Sequence, residues 1–242
     1  MKTLLPIILE NALFIADAHH QQGMRDLPHF LEYLRAHPPS QLFLMGDIFQ
    51  ICVGTIKPTH NLEVLEQIES LSHHIPVFYF EGNHDFGLSN VPQLRHITIY
   101  KRSAQPVIFG HQNQFYALAH GDLFLGFGYG FYIRALANPL SLKTLGLLSH
   151  IKPLYRAIST PLYAKKIKTY PKSALDFIHF AKVRLEHYAK ESPKPLAGVI
   201  EGHFHIGRIF KDPLYISLPS FYCTREVTKL SVEGLVICPA MR

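Results

Sequence analysis

The chain has 242 residues, enough for one domain with a sizeable core or one domain carrying a large insertion. Apolar residues make up 48% and charged residues 17%, with a net charge of +6, which excludes a disordered or fibrous chain and favours anionic partners. Cys52, Cys223 and Cys238 are odd in number and lack C-x-x-C spacing, which argues against a disulfide framework and for a reducing compartment.

The start, "MKTLLPIILENALFIA", imitates a signal peptide with Lys2 and its apolar run. Glu10 and Asn11 interrupt that run, and no small-residue cleavage site precedes a polar mature start. No stretch reaches 18 uninterrupted apolar residues, so no spanning helix is expected and the protein is read as cytoplasmic. "ALFIAD" (12–17) predicts a strand, and "DLPHFLEYLRAHPP" (26–39) a helix. Leu27, Phe30, Leu31 and Leu34 form the apolar face of that helix, with Asp26 as its cap and Pro38 as its stop. Residues 41–47 read as a second buried strand, 61–74 as a second helix and 76–85 as a third strand running into a turn. This βαβαβ rhythm implies a largely parallel sheet with polar strand ends on one edge.

After residue 95 the pattern changes to short strands in "HITIY", "PVIFG", "FYALAHGD", "AGVIEGHFH", "LYISLP" and "KLSVEGLVI". An α/β sandwich of two sheets flanked by helices accommodates this mixture. A helix over about 173–190 is expected to pack on a sheet through Leu175, Ile178, Ala181, Leu185 and Tyr188.

Residues 123–175 differ from their surroundings, so the chain divides into a core of 1–122 and 176–242 and an insertion of 123–175. The insertion holds eight Lys or Arg and no acidic residue, among many Leu, Phe and Tyr. Prolines 139, 153, 161 and 171 punctuate short helical stretches. Such a segment suits an amphipathic anionic ligand or a membrane surface, against the plainer reading of a helical cap with a solvated basic face.

Of sixteen histidines, eleven fall in no recognisable pattern and read as ordinary core or surface residues. The other five accompany carboxylates and glycines, each group following an apolar run. In order these are Asp17-Ala18-His19, Gly46-Asp47, Gly82-Asn83-His84-Asp85, His120-Gly121-Asp122 and Gly202-His203-Phe204-His205. In an α/β architecture such strand ends converge on one rim, where ligands bind. Carboxylates and imidazoles together suit Mn, Fe, Co or Zn, and two such ions can clamp the attacking and leaving oxygens of a phosphoryl transfer.

These residues resemble the calcineurin-like metallophosphoesterases, whose pattern is D-x-H, G-D, G-N-H-D/E, H-G and G-H-x-H, over residues 13–205. The resemblance implies a two-sheet core and two divalent metal ions, with manganese expected ahead of iron, zinc or cobalt. Asp17, His19, Asp47 and His205 would hold one ion, and Asp47, Asn83, His120 and His203 the other. His84, paired with Asp85, would act as the acid that steadies the phosphate or the leaving group.

A narrower resemblance, in "LFIADAHH", "GDIFQ", "GNHDFGL" and "HGD" followed by a basic helical insertion before "GHFH", is to the UDP-2,3-diacylglucosamine diphosphatases of lipid A synthesis. Those peripheral inner-membrane enzymes release UMP and a lipid monophosphate, and their insertion is a lid over the acyl chains. They commonly carry Leu at the place of Ala18, Arg at that of His84, and Thr-His-Arg after His203; beyond residue 206 the match is slight.

The resemblance implies a dinuclear pyrophosphohydrolase, with an acylated sugar nucleotide as substrate and an anionic membrane surface as partner. Lys165, Lys166, Lys168 and Lys172 are the candidate phosphate contacts. A metallophosphoesterase for a soluble nucleotide, phosphodiester or phosphoprotein, and a non-catalytic scaffold, are the alternatives. The positive charge is clustered in one apolar segment rather than spread along a polar groove, which argues against nucleic acid. No motif points to an obligate protein partner.

Overall fold

A computed structural model of the chain describes residues 5–241; Lys2, part of the signal-like start, lies outside them. The first apolar runs and amphipathic stretches form β1 (Ala12–Ile15), α1 (Asp26–Ala36), β2 (Gln41–Leu44), a short β3 (Cys52–Val53), α2 (Leu62–Ser72) and β4 (Val77–Phe80). A short β5 (Asp85–Phe86), β6 (Thr98–Tyr100), β7 (Val107–His111) and β8 (Gln114–Ala119) follow. Three helices come next: α3 (Phe127–Ala137), α4 (Pro139–Ser149) and α5 (Lys152–Ala164). Then α6 (Ala174–Glu191) leads to β9 (Gly198–Glu201), β10 (Arg208–Lys211), β11 (Leu214–Ser217), α7 (Phe221–Thr224), β12 (Glu226–Ser231) and β13 (Gly234–Pro239).

The architecture is a two-sheet sandwich with helices on both outer faces. One sheet runs β13-β12-β1-β2-β4-β6, with β1, β2, β4 and β6 parallel and β12 antiparallel to β1. The other runs β10-β11-β9-β8-β7. Strands buried on both faces need apolar side chains on both, which is why β1 and β2 read as continuous apolar runs rather than alternating ones. Phe14, Phe43, Phe80 and Phe109 fill the space between the sheets, and Phe14 stacks on Phe43 at 4.5 Å. Each such buried ring contributes roughly 1.5–3 kcal/mol from burial. Leu27, Phe30, Leu31 and Leu34 of α1, with Val64, Leu65 and Ile68 of α2, cover the outer face of the first sheet.

Several details differ from the sequence reading. Asp26 does not cap α1: Arg25 occupies the cap position, and the Asp26 carboxylate pairs with Arg225 at 2.5 Å. On α6 the buried stripe is Phe177, Ala181, Arg184 and Tyr188, whereas Leu175 and Ile178 face solvent at 80% and 37% exposure. The stripe was hidden because Arg184 breaks its apolar pattern, and only the buried partner Glu201 makes an arginine tolerable there. "KLSVEGLVI" is two strands, because Gly234 at φ +110° turns the chain into a hairpin. Lys165 to Lys172 lie in an extended strap after α5, not on a helix.

Candidate metal centre

The candidate ligands sit where strands end and the backbone turns sharply. Asp17, His19, Asp47, His203 and His205 all have positive φ, between 41° and 65°. Asp and His tolerate this conformation better than most residues, yet each such position costs on the order of 1–3 kcal/mol. Strain at five neighbouring positions marks a place where side chains are held for a purpose. Close approach of the loops needs glycines: a Cβ on Gly82 would collide with the Asp47 carboxylate, and one on Gly202 would come within 3.0 Å of Asp17 Oδ2.

The turns bring three groups of donors together: Asp17, His19 and His205; His19, Asp47 and His84; and Asp47, His120 and His203. Within each group one donor atom per residue lies within 4.8 Å of the others. Asp47 and His19 each belong to two groups, so the three form one continuous cluster. Asn83 adjoins it, its Oδ1 lying 3.2 Å from His120 Nε2. All seven residues that the resemblance nominated as ligands are therefore neighbours.

Imidazole orientation follows from the outer partners. Backbone carbonyls only accept, so the ring nitrogens facing them carry hydrogen. His120 Nδ1 donates to Met45 O at 2.9 Å, His205 Nδ1 to Lys168 O at 2.8 Å and His84 Nδ1 to Gln50 O at 2.8 Å. In each ring Nε2 is left as the nitrogen available to the cluster, the arrangement a metal-binding histidine requires. The carboxylates are held similarly: His203 N–H donates to Asp17 Oδ2 at 2.9 Å, and His84 N–H to Asp47 Oδ1 at 2.8 Å.

Two observations fit these residues to divalent cations. Both ring nitrogens of His19 are buried without a hydrogen-bond partner among the described residues, and Asp17 Oδ1 has only His205 Nε2 at 3.3 Å. Leaving such groups unsatisfied costs about 1–3 kcal/mol each, more for a charged one. The charge balance agrees: burial pushes the His19 and His203 pKa values down to about 4, so both are neutral donors near pH 7. At His120 burial opposes the charge, but the Asp47, Asp122 and Asp17 carboxylates outweigh it and push the pKa up to about 9. A site that draws a proton into its own centre has a deficit of positive charge that a cation removes.

His84 and Asp85 are not the pair the sequence suggested. Asp85 turns behind the cluster and accepts from the backbone N–H of Asp47 (3.0 Å), Ile48 (2.7 Å) and Gly82 (2.9 Å) and from Tyr79 Oη (2.7 Å). These donors oppose the rise in its pKa caused by burial and by the charge of Asp47. Asp85 thus shapes the loop that carries Asp47, while Gln50 orients His84.

A cavity of about 480 Å³ opens over the cluster, lined by His19, Asp47, Asn83, His84, His203 and His205 on one side. Lys165, Lys166, Lys168 and Lys172 line the other, with Ile167, Tyr170 and Phe180 between them. The strap that carries these lysines is held by His205 Nδ1 donating to Lys168 O and Arg208 donating to Lys172 O, both at 2.8 Å, and Gln50 Nε2 donates to Leu162 O at 2.6 Å at the end of α5 just before it. Sequence reasoning missed Gln50, and it missed the buried supports Arg102–Asp122 and Arg184–Glu201. Asp122 belongs to the quoted "HGD" and Glu201 precedes "GHFH", but their arginines lie 20 and 17 residues away and carry no local signal.

The sequence profile of the family described as calcineurin-like phosphoesterase matches residues 11–207. A Shewanella loihica protein named UDP-2,3-diacylglucosamine hydrolase is 24% identical over 241 residues, covering 90% of this chain and 92% of its own. A Shewanella halifaxensis protein of the same name is 32% identical over 82 residues, 32% of this chain and 34% of its own. Among solved structures, a predicted phosphoesterase from Streptococcus pneumoniae covers 94% of this chain and 95% of its own at 13% identity and a TM-score of 0.41. The Pseudomonas putida nuclease MPE covers 47% and 55% at 22% identity and a TM-score of 0.35.

Proposed function

The chain belongs to the calcineurin-like phosphoesterase family of metal-dependent hydrolases, and we propose that it cleaves the pyrophosphate of UDP-2,3-diacylglucosamine into UMP and 2,3-diacylglucosamine 1-phosphate. The observation that carries this reading is a cavity lined by four lysines and several apolar side chains together with residues of the histidine–carboxylate cluster. A lipid-linked diphosphate needs both kinds of surface at once. The name of the Shewanella loihica relative, which matches along nearly its whole length, supports the same substrate.

In this reading Asp17, His19, Asp47 and His205 hold one divalent ion, and Asp47, Asn83, His120 and His203 the other. Two such ions, manganese in our proposal, supply Lewis acidity and an activated water when bound. Asp47 belongs to both sets and would contribute a ligand to each. His84, whose Nδ1–H donates to the Gln50 carbonyl, turns its Nε2 edge to the phosphate and the departing oxygen and serves there as the acid. Water brings one oxygen to one phosphorus, the bridging P–O bond breaks, and its electron pair leaves with the other phosphate. Lys165, Lys166, Lys168 and Lys172 neutralise the phosphates, and residues 123–175 act as the lid over the acyl chains.

That segment exposes Phe127, Phe131, Leu140, Leu147 and Ile151, and Lys152 and Arg156 are exposed close to the last of these in sequence. Exposed apolar side chains rimmed by cations favour an anionic bilayer surface, which supports peripheral attachment at the cytoplasmic side of the inner membrane. Among the described residues no helix is long and apolar enough to cross a membrane.

The test is incubation of the purified protein and Mn with UDP-2,3-diacylglucosamine in mixed micelles, assaying UMP and lipid monophosphate. Equal release of both is the expected result. Absence of UMP under conditions where a soluble phosphodiester is turned over would overturn the lipid reading and point to a soluble phosphoester.

A further inference from the structure

A second cavity, of about 770 Å³, shares no lining residue with the one over the cluster. It lies between the core and the junction of α3 with α4, and its volume falls in the usual range for small-ligand sites. Its wall is one hydrogen bond from the candidate metal centre. Gln105, 8% exposed, accepts from the backbone N–H of His120 at 2.7 Å through Oε1 and donates to Glu81 O at 2.9 Å through Nε2. Arg102 donates to both Oδ2 and the backbone oxygen of Asp122, two residues beyond His120. The cavity wall is thus tied to the loop that carries His120 through Gln105 and Arg102, while the lysine strap meets the cluster at His205, whose Nδ1 donates to Lys168 O.

The lining has a definite chemistry. Lys101, Arg134 and Lys143 line it; none lies within ion-pair distance of a carboxylate among the described residues, though Lys101 interacts electrostatically with Glu81, which leaves Arg134 and Lys143 as the cations without an acidic neighbour. The one acid in the wall, Glu81, is 3% exposed and already accepts from Leu88 N–H at 2.8 Å. Ser89, Asn90 and Ser103 add neutral polar groups, and Leu123, Ile133 and Leu142 add an apolar wall. Unpaired cations, hydrogen-bonding groups and an apolar face are together what a phosphate, a ribose and a flat base require.

We propose that this cavity holds the nucleoside-monophosphate half of the substrate, so that the pyrophosphate lies across the cluster with the two halves on opposite sides. The proposal rests on the reading that the substrate is a sugar-nucleotide diphosphate. It assigns base and ribose recognition to the α3–α4 junction rather than to the strap.

The experiment titrates the Mn-loaded protein with UMP by calorimetry, with inorganic phosphate as a second probe. In the double variant Arg134→Glu/Lys143→Glu, UMP binding should weaken by about tenfold or more, the effect of losing charge-assisted contacts to one phosphate. Hydrolysis of bis(p-nitrophenyl) phosphate should stay at the parent level, which also shows that the fold and the metals are intact, and inorganic phosphate binding should weaken less than UMP binding. Ser103→Trp, which fills the cavity without changing charge, should weaken UMP binding similarly. In the triple variant Lys165→Ala/Lys166→Ala/Lys168→Ala, whose lysines meet the phosphates, UMP binding should weaken less than in the cavity variants. Parent-like UMP affinity in both cavity variants, or equal loss in the strap variant, overturns the proposal. If UDP-2,3-diacylglucosamine is not cleaved but UMP affinity falls in the cavity variants, the lipid reading fails and the nucleotide site stands. If the lipid is cleaved and the cavity variants keep parent KM and UMP affinity, the reverse holds.

Discussion

Replacing Arg184 by methionine tests how the two loops that carry His120 and His203 are held. Arg184 and Glu201 are 3% and 0% exposed. The guanidinium donates to Glu201 Oε1 at 2.7 Å and Oε2 at 2.6 Å, to Leu123 O at 2.8 Å and to Gly121 O at 3.0 Å. Gly121 and Leu123 flank the loop after His120, and Glu201 stands two residues before His203, so one side chain ties both loops to α6. Methionine fills much of the volume but leaves a buried carboxylate without its cation. Breaking a buried pair from one side costs about 3–5 kcal/mol. The Tyr188 and Tyr215 hydroxyls still donate to Glu201 at 2.5 and 2.6 Å, which places the expected loss at the lower end, about 3 kcal/mol. Urea unfolding of metal-free protein, with an unchanged m-value, measures it. Arg184→Met/Glu201→Gln should recover part of the loss, since both charges are then gone and the coupling within such a pair is typically 0.5–3 kcal/mol. A single-variant loss below about 1 kcal/mol, or strict additivity in the double variant, would refute the reasoning.

Asp17→Ala should abolish most metal binding and turnover while circular dichroism stays native, because the rim that carries Asp17 lies outside the aromatic core; normal activity in a metal-replete variant would contradict its role as a ligand. Gly82→Ala should cut metal content and activity more than stability, since its Cβ meets the Asp47 carboxylate and backbone nitrogen; metal analysis beside a melting curve separates the two effects. Neutralising Lys165, Lys166 and Lys168 together should raise KM for the lipid substrate and reduce vesicle binding, yet leave a small phosphodiester almost unaffected; equal losses on both substrates would return these lysines to a structural role. Hydrolysis in oxygen-18 water should place one label in one phosphate product, and trapping of a phosphorylated side chain would contradict direct attack by water.

The alternation of apolar runs with amphipathic stretches was sufficient to place β1, α1, β2, α2 and β4, because burial and period are local properties of the chain. The same locality exposed the candidate centre: each of its residues follows its own strand within a few positions, and parallel strands deliver their ends to one rim. The acid-free segment at 123–175 was equally visible, since composition needs no fold to be read.

What neighbours what across long separations was decided only by tertiary structure. Gln50 reaches Leu162 across 112 residues, and Gln105 and Arg102 gain meaning only beside the loop after β8. The buried face of α6 was misread because periodicity counts Arg184 as polar, while the fold supplies Glu201 to neutralise it. His84 and Asp85 are adjacent in sequence, yet Gln50 takes one and the Asp47 loop the other. The sequence by itself nominated the candidate ligands, through strand ends and residue type. The tertiary structure decided which partners hold them and where two separate cavities open, because those depend on surfaces that meet only after the sheets and helices have packed.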